Sequence, residues 1–168
     1  CNLYQFDSRL VPSATAMACG KQICENTLKA YREEEGCWPE STAVIMWGLE
    51  TSRTQGETLG QVLAYLGIRR VPSGSIWNLE LEIIPLEELG RPRIDVTVNI
   101  CGFFRDMYPS LIEALDDILE KLYERDEPDD QNYFRAHAKA RYAKLIDAGY
   151  EPEEAKQLAI ARIFGPKE

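Results

Sequence analysis

Two apolar segments of this chain each lead into a short polar segment and then into an amphipathic helix. Residues 41–47 have the composition of a buried strand that ends at Gly48, and residues 94–100 have the composition of a second strand. A strand followed by a polar loop, a helix and another strand is typical of a parallel sheet covered by helices. The sequence therefore predicts an α/β fold with a parallel-sheet layer of the Rossmann-like or flavodoxin-like kind, covering helices and a helical C-terminal part.

Signals for helices flank these strands. Apolar residues recur at helical spacing over residues 13–35, between a serine that suits a helix start and a glycine that suits a helix stop. Thr54 with Glu57, and Ser110 with Glu113, have the spacing of capping boxes and predict a helix behind each. The second of these helices has an apolar stripe formed by Leu111, Leu115, Ile118, Leu119 and Leu122.

Weaker patterns fill in the rest of the chain. Residues 68–71 and 79–83 favour short strands, and residues 85–89 favour a single helical turn. From residue 128 onward the pattern is helical only, with an apolar stripe through Phe134, Ala138, Tyr142 and Leu145. A last helix is expected over residues 152–164.

The length of 168 residues fits one domain that buries a hydrophobic core. We expect a single α/β domain over residues 1–168, with an α/β part over 1–127 and a helical extension over 128–168. Because the chain begins with Cys1 and not with methionine, we expect it to be a segment of a longer protein.

The charge and cysteine content exclude several classes of function. Nineteen Lys and Arg against 28 Asp and Glu give a net charge of −9, whereas nucleic acids and anionic membranes attract clustered basic residues. The apolar run at residues 43–47 is far too short to span a membrane. Five cysteines without a CxxC pair, and one histidine, argue against a zinc site or a disulfide framework and favour the cytoplasm.

The first polar segment, residues 47–58, follows a predicted parallel strand at the sheet edge where ligands gather in such folds. It carries Glu50, Arg53 and Glu57 among several hydroxyl groups. Such a segment suits a polar or anionic ligand, or it simply caps the next helix. It lacks the GxxxxGK pattern of a phosphate loop, so nucleotide binding is not expected here.

The second polar segment, residues 101–109, follows the other predicted parallel strand. It places Arg105 and Asp106 beside two phenylalanines, which suits a flat ligand with carboxylate edges. A surface ion pair beside a core phenylalanine is an equally good interpretation. We do not expect Cys101 to act as a nucleophile, because no histidine is near it in the sequence to activate it.

Residues 113–130 hold nine acidic and two basic side chains. Acids on the outer face of an amphipathic helix usually form a solvated surface. Four of them cluster at the end of the stretch: Asp126, Glu127, Asp129 and Asp130. Such a cluster can attract a hard divalent cation, but it lacks EF-hand spacing. His137, beside an apolar stripe, is by its pattern a structural hydrogen-bonding group.

Four motifs follow one another along the chain and together resemble one family. They are Trp47-Gly48 with Thr54, Gly56-Glu57 and Gln61-Val62-Leu63; IPLEELGRPRIDV over residues 84–96; Gly102-Phe103-Phe104-Arg105-Asp106; and Glu127-Pro128, Gln131-Asn132-Tyr133, Arg135 and His137. In this order they resemble the large subunit of ATP-dependent tetrapyrrole metal chelatases, the group of cobaltochelatase and magnesium chelatase. Members of that group are far longer, so the resemblance implies that this chain is an internal piece.

The resemblance implies insertion of Co²⁺ or Mg²⁺, as substrate metal, into a tetrapyrrole in a complex with an AAA+ ATPase subunit and a second accessory subunit. ATP is used by those partners and not bound by this segment. Magnesium-type relatives tend to have Thr-Asp-Asn-Ile-Lys after the Trp-Gly, whereas this chain has LETSR at residues 49–53. This difference favours cobaltochelatase and cobalamin biosynthesis. The alternatives are a magnesium chelatase large subunit, and a non-catalytic scaffold module that docks the AAA+ partners.

The resemblance and the side-chain chemistry together supply candidate site residues. Proton-accepting, catalytic roles are expected for Glu50, Glu57, Asp106 and His137. Tetrapyrrole binding is expected for Trp47, Arg53, Thr54, Gln55, Phe103, Phe104, Arg105 and Asn132. The sequence does not indicate which groups ligate the metal.

Overall fold

The computed structural model describes residues 11–71 and 79–166, so Cys1 lies outside the described part. The helices are α1 (Ala14–Glu35), α2 (Gly48–Thr54), α3 (Glu57–Leu66), α4 (Leu86–Leu89), α5 (Gly102–Met107), α6 (Pro109–Glu124), α7 (Tyr133–Asp147) and α8 (Pro152–Ile160). The strands are β1 (Ser41–Met46), β2 (Ile68–Val71), β3 (Glu80–Ile83), β4 (Asp95–Ile100) and β5 (Ile163–Phe164).

A parallel sheet with the strand order β1-β4-β5 forms the centre of the fold. β2 and β3 form a separate antiparallel pair. The prediction of an α/β fold with a parallel sheet and covering helices is therefore confirmed. Within residues 11–71 and 79–166, no helix is long and apolar enough to cross a membrane.

The parallel sheet has one covered face. Val96, Val98 and Ile100 of β4 are buried and stand in register with Thr42, Val44 and Met46 of β1. Helix α3 packs against both strands. The prediction that β1 is a buried strand was wrong, because Ile45 on the other face is 58% exposed.

Helix α1 confirms its predicted ends and packs closely on α3. Ser13 caps it, accepting the N–H of Ala16 at 3.1 Å, and Gly36 ends it in the left-handed conformation. A Cβ on Gly20 would lie 2.3 Å from the backbone nitrogen of Gln61, so only glycine allows this approach. The two helices therefore form a rigid layer over the covered face of the sheet.

Several local predictions were wrong. The polar segments after β1 and β4 are the short helices α2 and α5, not loops. Ser110 does not cap α6, whose N-cap is Tyr108. Thr54 accepts the N–H of Glu57, but it is the last residue of α2, and α3 starts from Gly56. The final helix ends at Ile160, since residues 163–164 form β5 beside β4.

Candidate functional site

The carboxyl ends of β1 and β4 lie side by side, because Met46 and Ile100 are partners in the parallel register. Helices α2 and α5 begin two residues after these strand ends and contact each other. A Cβ on Gly48 would lie 2.5 Å from Cδ1 of Phe103, so the two predicted polar segments meet directly. The structure thus joins motifs that are about fifty residues apart in the sequence.

Large apolar side chains are exposed at this end of the sheet. Trp47 is 58% exposed, Leu49 is 74% exposed and Phe103 is 50% exposed. Phe104, in contrast, is fully buried and packs against Tyr108 with a ring-centroid distance of 4.8 Å. Trp47 and Phe103 are therefore available to a flat apolar ligand, whereas Phe104 belongs to the core. We call the surface formed by Trp47, Leu49, Glu50, Arg53, Phe103, Arg105 and Asp106 the carboxyl-end surface.

Glu50 is held in place by its own helix. Its Oε1 lies 2.9 Å from the Thr54 hydroxyl, which also accepts the N–H of Glu57 at 3.1 Å. Glu50 Oε2 is buried and has no hydrogen-bond partner among the residues described. The neighbouring Ser52 hydroxyl pairs with the Tyr108 hydroxyl at 2.8 Å. One carboxylate oxygen is thus fixed by Thr54, and the other is enclosed with its hydrogen-bonding capacity unused by the described residues.

Arg53, Arg105 and Asp106 are exposed, and none of them forms a salt bridge within the described part of the chain. Arg105 lies beside the end of β5, because a Cβ on Gly165 would be 3.2 Å from one of its terminal nitrogens. Guanidinium groups without an internal acid are suited to binding the carboxylates of a ligand. The structure brings these charged groups to the same end of the sheet as Trp47 and Phe103.

Cys101 connects the two short helices at the floor of the carboxyl-end surface. Backbone N–H groups of Gly48 and Phe104 donate to its sulfur and lower the pKa of the thiol. These donors stabilise negative charge on the sulfur, so the thiol gives up its proton more readily than an ordinary cysteine does. The sequence pattern did not indicate this, since the Gly48 donor comes from a distant segment.

Gln55 and Glu57 flank the turn between α2 and α3. Gln55 adopts a left-handed conformation, with φ of 59°, and its carbonyl accepts the N–H of Ser13 at 3.0 Å. Glu57 is the first residue of α3 and is half-buried. Trp47 precedes the start of α2, whereas Gln55 and Glu57 follow its end. The length of α2 therefore separates both residues from Trp47.

His137 lies at the opposite, amino end of the sheet. Its Nδ1 is 2.9 Å from Asp95, the first residue of β4, and its Nε2 is 3.3 Å from Glu40. Asp95 is also paired with Arg162 at 2.7 Å, and both of these side chains are buried. The structure therefore does not bring His137 together with Glu50 and Asp106, and it assigns His137 to a network that ties α7 to the sheet.

Asn132 is fully buried in a second network near the amino end. It donates to Glu127 at 2.9 Å and caps α7 by accepting the N–H of Arg135. Glu127 also accepts two hydrogen bonds from Arg93, which is itself fully buried. Burial works to raise the pKa of Glu127, but donation by Arg93, Arg125 and Asn132 outweighs it and lowers the pKa.

This network also bears on the acidic cluster at residues 126–130. Glu127 is occupied by its cationic and amide partners, whereas Asp126, Asp129 and Asp130 are exposed. The described residues contain no group of three or more His, Cys, Asp or Glu side chains placed to hold a metal ion. The structure gives the divalent-cation interpretation of this cluster no support.

Six residues at the two ends of the parallel sheet were not predicted from the sequence to have a role of their own. They are Leu49, Ser52, Arg93, Asp95, Tyr108 and Arg162. In the GRPRIDV segment, Arg93 and Asp95 alternate with the buried Ile94 and Val96, and this alternation was a usable signal for the amino end. The Ser52–Tyr108 pair had no such signal, because the two residues are 56 positions apart.

Comparison with known proteins gives the family. The family model described as CobN/Magnesium Chelatase matches residues 1–168. An aerobic cobaltochelatase subunit CobN of Sinorhizobium sp is 37% identical over 99% of this chain, which spans 13% of that protein. A chloroplastic magnesium-chelatase subunit ChlH of Oryza sativa subsp. indica is 36% identical over 86% of this chain, which spans 10% of that protein.

A solved structure agrees with these relatives. The catalytic subunit of cobaltochelatase from Mycobacterium tuberculosis matches with a TM-score of 0.84 and 40% sequence identity. The match covers 95% of this chain and 13% of that chain. The resemblance of the four motifs is thus confirmed, and the chain belongs to the CobN/magnesium chelatase family.

Proposed function

We propose that this chain is part of the large subunit of an ATP-dependent cobaltochelatase, in which it helps to bind a tetrapyrrole during insertion of Co²⁺ in cobalamin biosynthesis. The observation that carries the proposal is the meeting of two family motifs through the Gly48–Phe103 contact at the carboxyl ends of β1 and β4. In open α/β sheets, ligands bind at the carboxyl ends of the strands.

The carboxyl-end surface has the chemistry that a tetrapyrrole needs. A macrocycle is flat and apolar, and it packs on exposed aromatic rings such as those of Trp47 and Phe103. Its peripheral carboxylates or amides suit the exposed guanidinium groups of Arg53 and Arg105. Exposed apolar area, combined with cations that form no salt bridge with the described residues, supports this ligand class over a small polar one.

Metal insertion also requires that protons leave the ring. Two inner nitrogens of the macrocycle lose their protons while the hydrated metal ion loses water. Glu50, whose Oε2 lacks an internal partner among the residues described, is our first choice as proton acceptor. Asp106 is the second choice because it is exposed on the same surface, and Glu57, in the turn behind Glu50, is the third. His137 is not part of the proposal, since Asp95 and Glu40 occupy its ring nitrogens.

The partners and the compartment complete the proposal. ATP hydrolysis belongs to an AAA+ subunit acting with a second accessory subunit, in agreement with a sequence that has no phosphate-loop pattern. Cys19, Cys24, Cys37 and Cys101 are free thiols, as is common in a reducing cytoplasm. We propose a cytoplasmic complex on this basis.

The test is a tetrapyrrole absorbance titration of the full-length large subunit that contains this segment. Arg105→Ala is expected to weaken tetrapyrrole binding by about tenfold, the loss of one charge-assisted contact. Arg141→Ala, which removes an exposed arginine from α7, serves as the matched control and is expected to change nothing. Equal affinities of the two variants would place the tetrapyrrole elsewhere.

Proton transfer needs a separate readout. Glu50→Gln keeps the size of the side chain and removes its capacity as a base. We expect the rate of Co²⁺ insertion to fall at least about tenfold while the tetrapyrrole affinity stays within about twofold of that of the parent protein. An unchanged insertion rate would remove Glu50 from the mechanism and leave the binding role intact.

The magnesium alternative is tested with the same full-length subunit. Relatives of both metal types match over most of this chain, so each metal is tried with its own tetrapyrrole and its own partner subunits. Insertion of Co²⁺ into a corrin precursor is expected. Insertion of Mg²⁺ into protoporphyrin, with no activity toward Co²⁺, would give the magnesium chelatase function instead.

A scaffold function is favoured by one observation, the exposed acidic residues on α6. Asp116 and Asp117 are both exposed there. Asp116→Lys with Asp117→Lys should abolish binding of the AAA+ subunit if this face docks it. Such a loss, combined with no effect of Arg105→Ala on tetrapyrrole binding, would replace our proposal with the scaffold.

A further inference from the structure

The second face of the parallel sheet is bare toward its carboxyl end. Ile45, Asn99 and Phe164 stand in register on neighbouring strands and form one row across the sheet. All three are exposed, Ile45 by 58% and Phe164 by 37%. Toward the amino end of the same face, Asp95 is covered by Arg162 and His137. Parallel sheets occur almost only with both faces covered, so this row marks a missing layer.

The described helices leave the row Ile45–Asn99–Phe164 exposed. In the sheet, β4 lies beside β1, and β5 lies on the far side of β4. The chain therefore crosses the sheet in the same direction twice. Connections between parallel strands are right-handed, and α3, in the connection from β1 to β4, packs on the covered face. Helix α1, which precedes β1, also packs on that side through α3. Helix α7, in the connection from β4 to β5, contacts β4 at the amino end of the second face, where His137 pairs with Asp95. A strand added beyond β1, in the other direction, would bring its connecting helix to the second face, where the row Ile45–Asn99–Phe164 is exposed.

The outer edge of β1 is open to such a strand. In the described part of the chain, β1 pairs with β4 and with no other strand. An open strand edge presents unpaired backbone groups that readily accept another strand. The sheet therefore lacks both a neighbour at this edge and a layer on the adjoining face.

We propose that a strand–helix unit from the remainder of the same large subunit completes this sheet, its strand pairing with β1 and its helix covering the row Ile45–Asn99–Phe164. The chain spans only 13% of the cobaltochelatase relatives it matches, so most of such a subunit lies outside it. Three strands about 4.8 Å apart make a strip about 10 Å wide, which is the width of one helix.

The composition of the row favours a permanent intramolecular contact over a transient partner. Ile45, Asn99 and Phe164 carry no charge, although 28% of the chain is charged. Interfaces that stay closed are more apolar than those that open and close. The added strand also makes the carboxyl end of β1 the point at which the strand order reverses, and that is where ligands bind in such sheets.

The test uses a cysteine at position 45 in the full-length subunit. Ile45→Cys is a small change, and its reaction with a maleimide is followed by mass spectrometry of the peptide that carries it. We expect this cysteine to react at least about 100-fold more slowly in the native subunit than in the denatured one, because its layer must open first. Labelling within about tenfold of the denatured rate would overturn the proposal.

Two further measurements distinguish the occupant. Protection that appears only at high protein concentration would mean that a second copy covers the row, and protection that appears only on adding an AAA+ subunit or tetrapyrrole would assign it to that ligand; each result overturns the proposal. Ile45→Arg is expected to lower the yield of folded full-length subunit, whereas Ile45→Val is expected to leave it unchanged. An Ile45→Arg subunit that folds normally would show that the face stays open.

Discussion

The two ends of the parallel sheet differ in how their polar groups are satisfied. At the amino end, Asp95 is held by Arg162 and His137, and nearby Glu127 is held by Arg93 and Asn132, all at hydrogen-bond distance. At the carboxyl end, Arg53 and Arg105 are exposed and form no salt bridge with described residues. The charges of one end are used within the fold, and those of the other end are available to a ligand.

This difference separates charges that serve the fold from charges that are available for function. A buried charge with all its partners in place stabilises a particular geometry and has little left to offer to chemistry. An exposed charge beside exposed aromatic rings contributes little to stability and much to recognition. We therefore propose site residues at the carboxyl end, although the motifs also include a histidine and an asparagine at the other end.

The largest effect is expected from breaking the buried ion pair of the amino-end region. Glu127→Ala leaves the fully buried Arg93 without its carboxylate. We expect the free energy of unfolding to fall by about 3–5 kcal/mol, as measured by denaturant titration. Glu82→Ala removes one of two exposed acidic partners of Arg69, the other being Glu88, and is the control, with little change expected. Similar losses for both variants would contradict the distinction between the two kinds of pair.

Acid should act on the same network. Because the pKa of Glu127 is lowered in the folded chain, its stabilising contribution is complete above its usual value of 4.5 and is lost as the pH falls below that value. We expect stability to decline below about pH 4.5, and Glu127→Gln to flatten this decline. Unfolding curves recorded between pH 6 and pH 3 measure both slopes. Parallel slopes for the two proteins would show that other carboxylates carry the acid sensitivity.

A smaller effect is expected from separating the two helices of the carboxyl end. Gly48→Ala introduces a methyl group 2.5 Å from the Phe103 ring, which must move away. We expect a loss of about 1–3 kcal/mol in stability, together with weaker tetrapyrrole binding. Gly102→Ala, at the equivalent first position of α5, meets no atom within 4 Å and should be neutral or slightly stabilising. Calorimetry of the two variants decides whether the Gly48–Phe103 contact matters.

The mildest test compares two cysteines. N–H groups lower the pKa of Cys101, whereas burial raises the pKa of Cys24 to about 11. At neutral pH, alkylation should modify Cys101 well before Cys24, because the thiolate is the reactive form. Peptide mass spectrometry follows both sites in one sample. Faster modification of Cys24 would contradict the placement of Cys101 among the N–H groups of α2 and α5.

Helices that are long enough to repeat an apolar pattern over several turns were predicted correctly from the sequence. Several of the short elements were predicted poorly. Helix α1 and the apolar stripe of α6 extend over several turns and were located correctly. Helices α2 and α5 have seven and six residues, too few for a periodic pattern, so the sequence predicts loops there. Strand β5 has two residues and exists only because it pairs with β4. The exposure of β1 depends on neighbours that no local pattern describes.

The sequence alone determined the class of fold, the order of the motifs and the family, because these depend on residue types and their spacing along the chain. Only the tertiary structure decided which motif residues meet. Parallel register places Gly48 against Phe103, whereas it sends His137 to the opposite end of β4, beside Asp95. The reason is physical: whether a charge is used internally depends on burial and on partners that lie far away in the sequence, here 42 positions for His137 and 67 for Arg162.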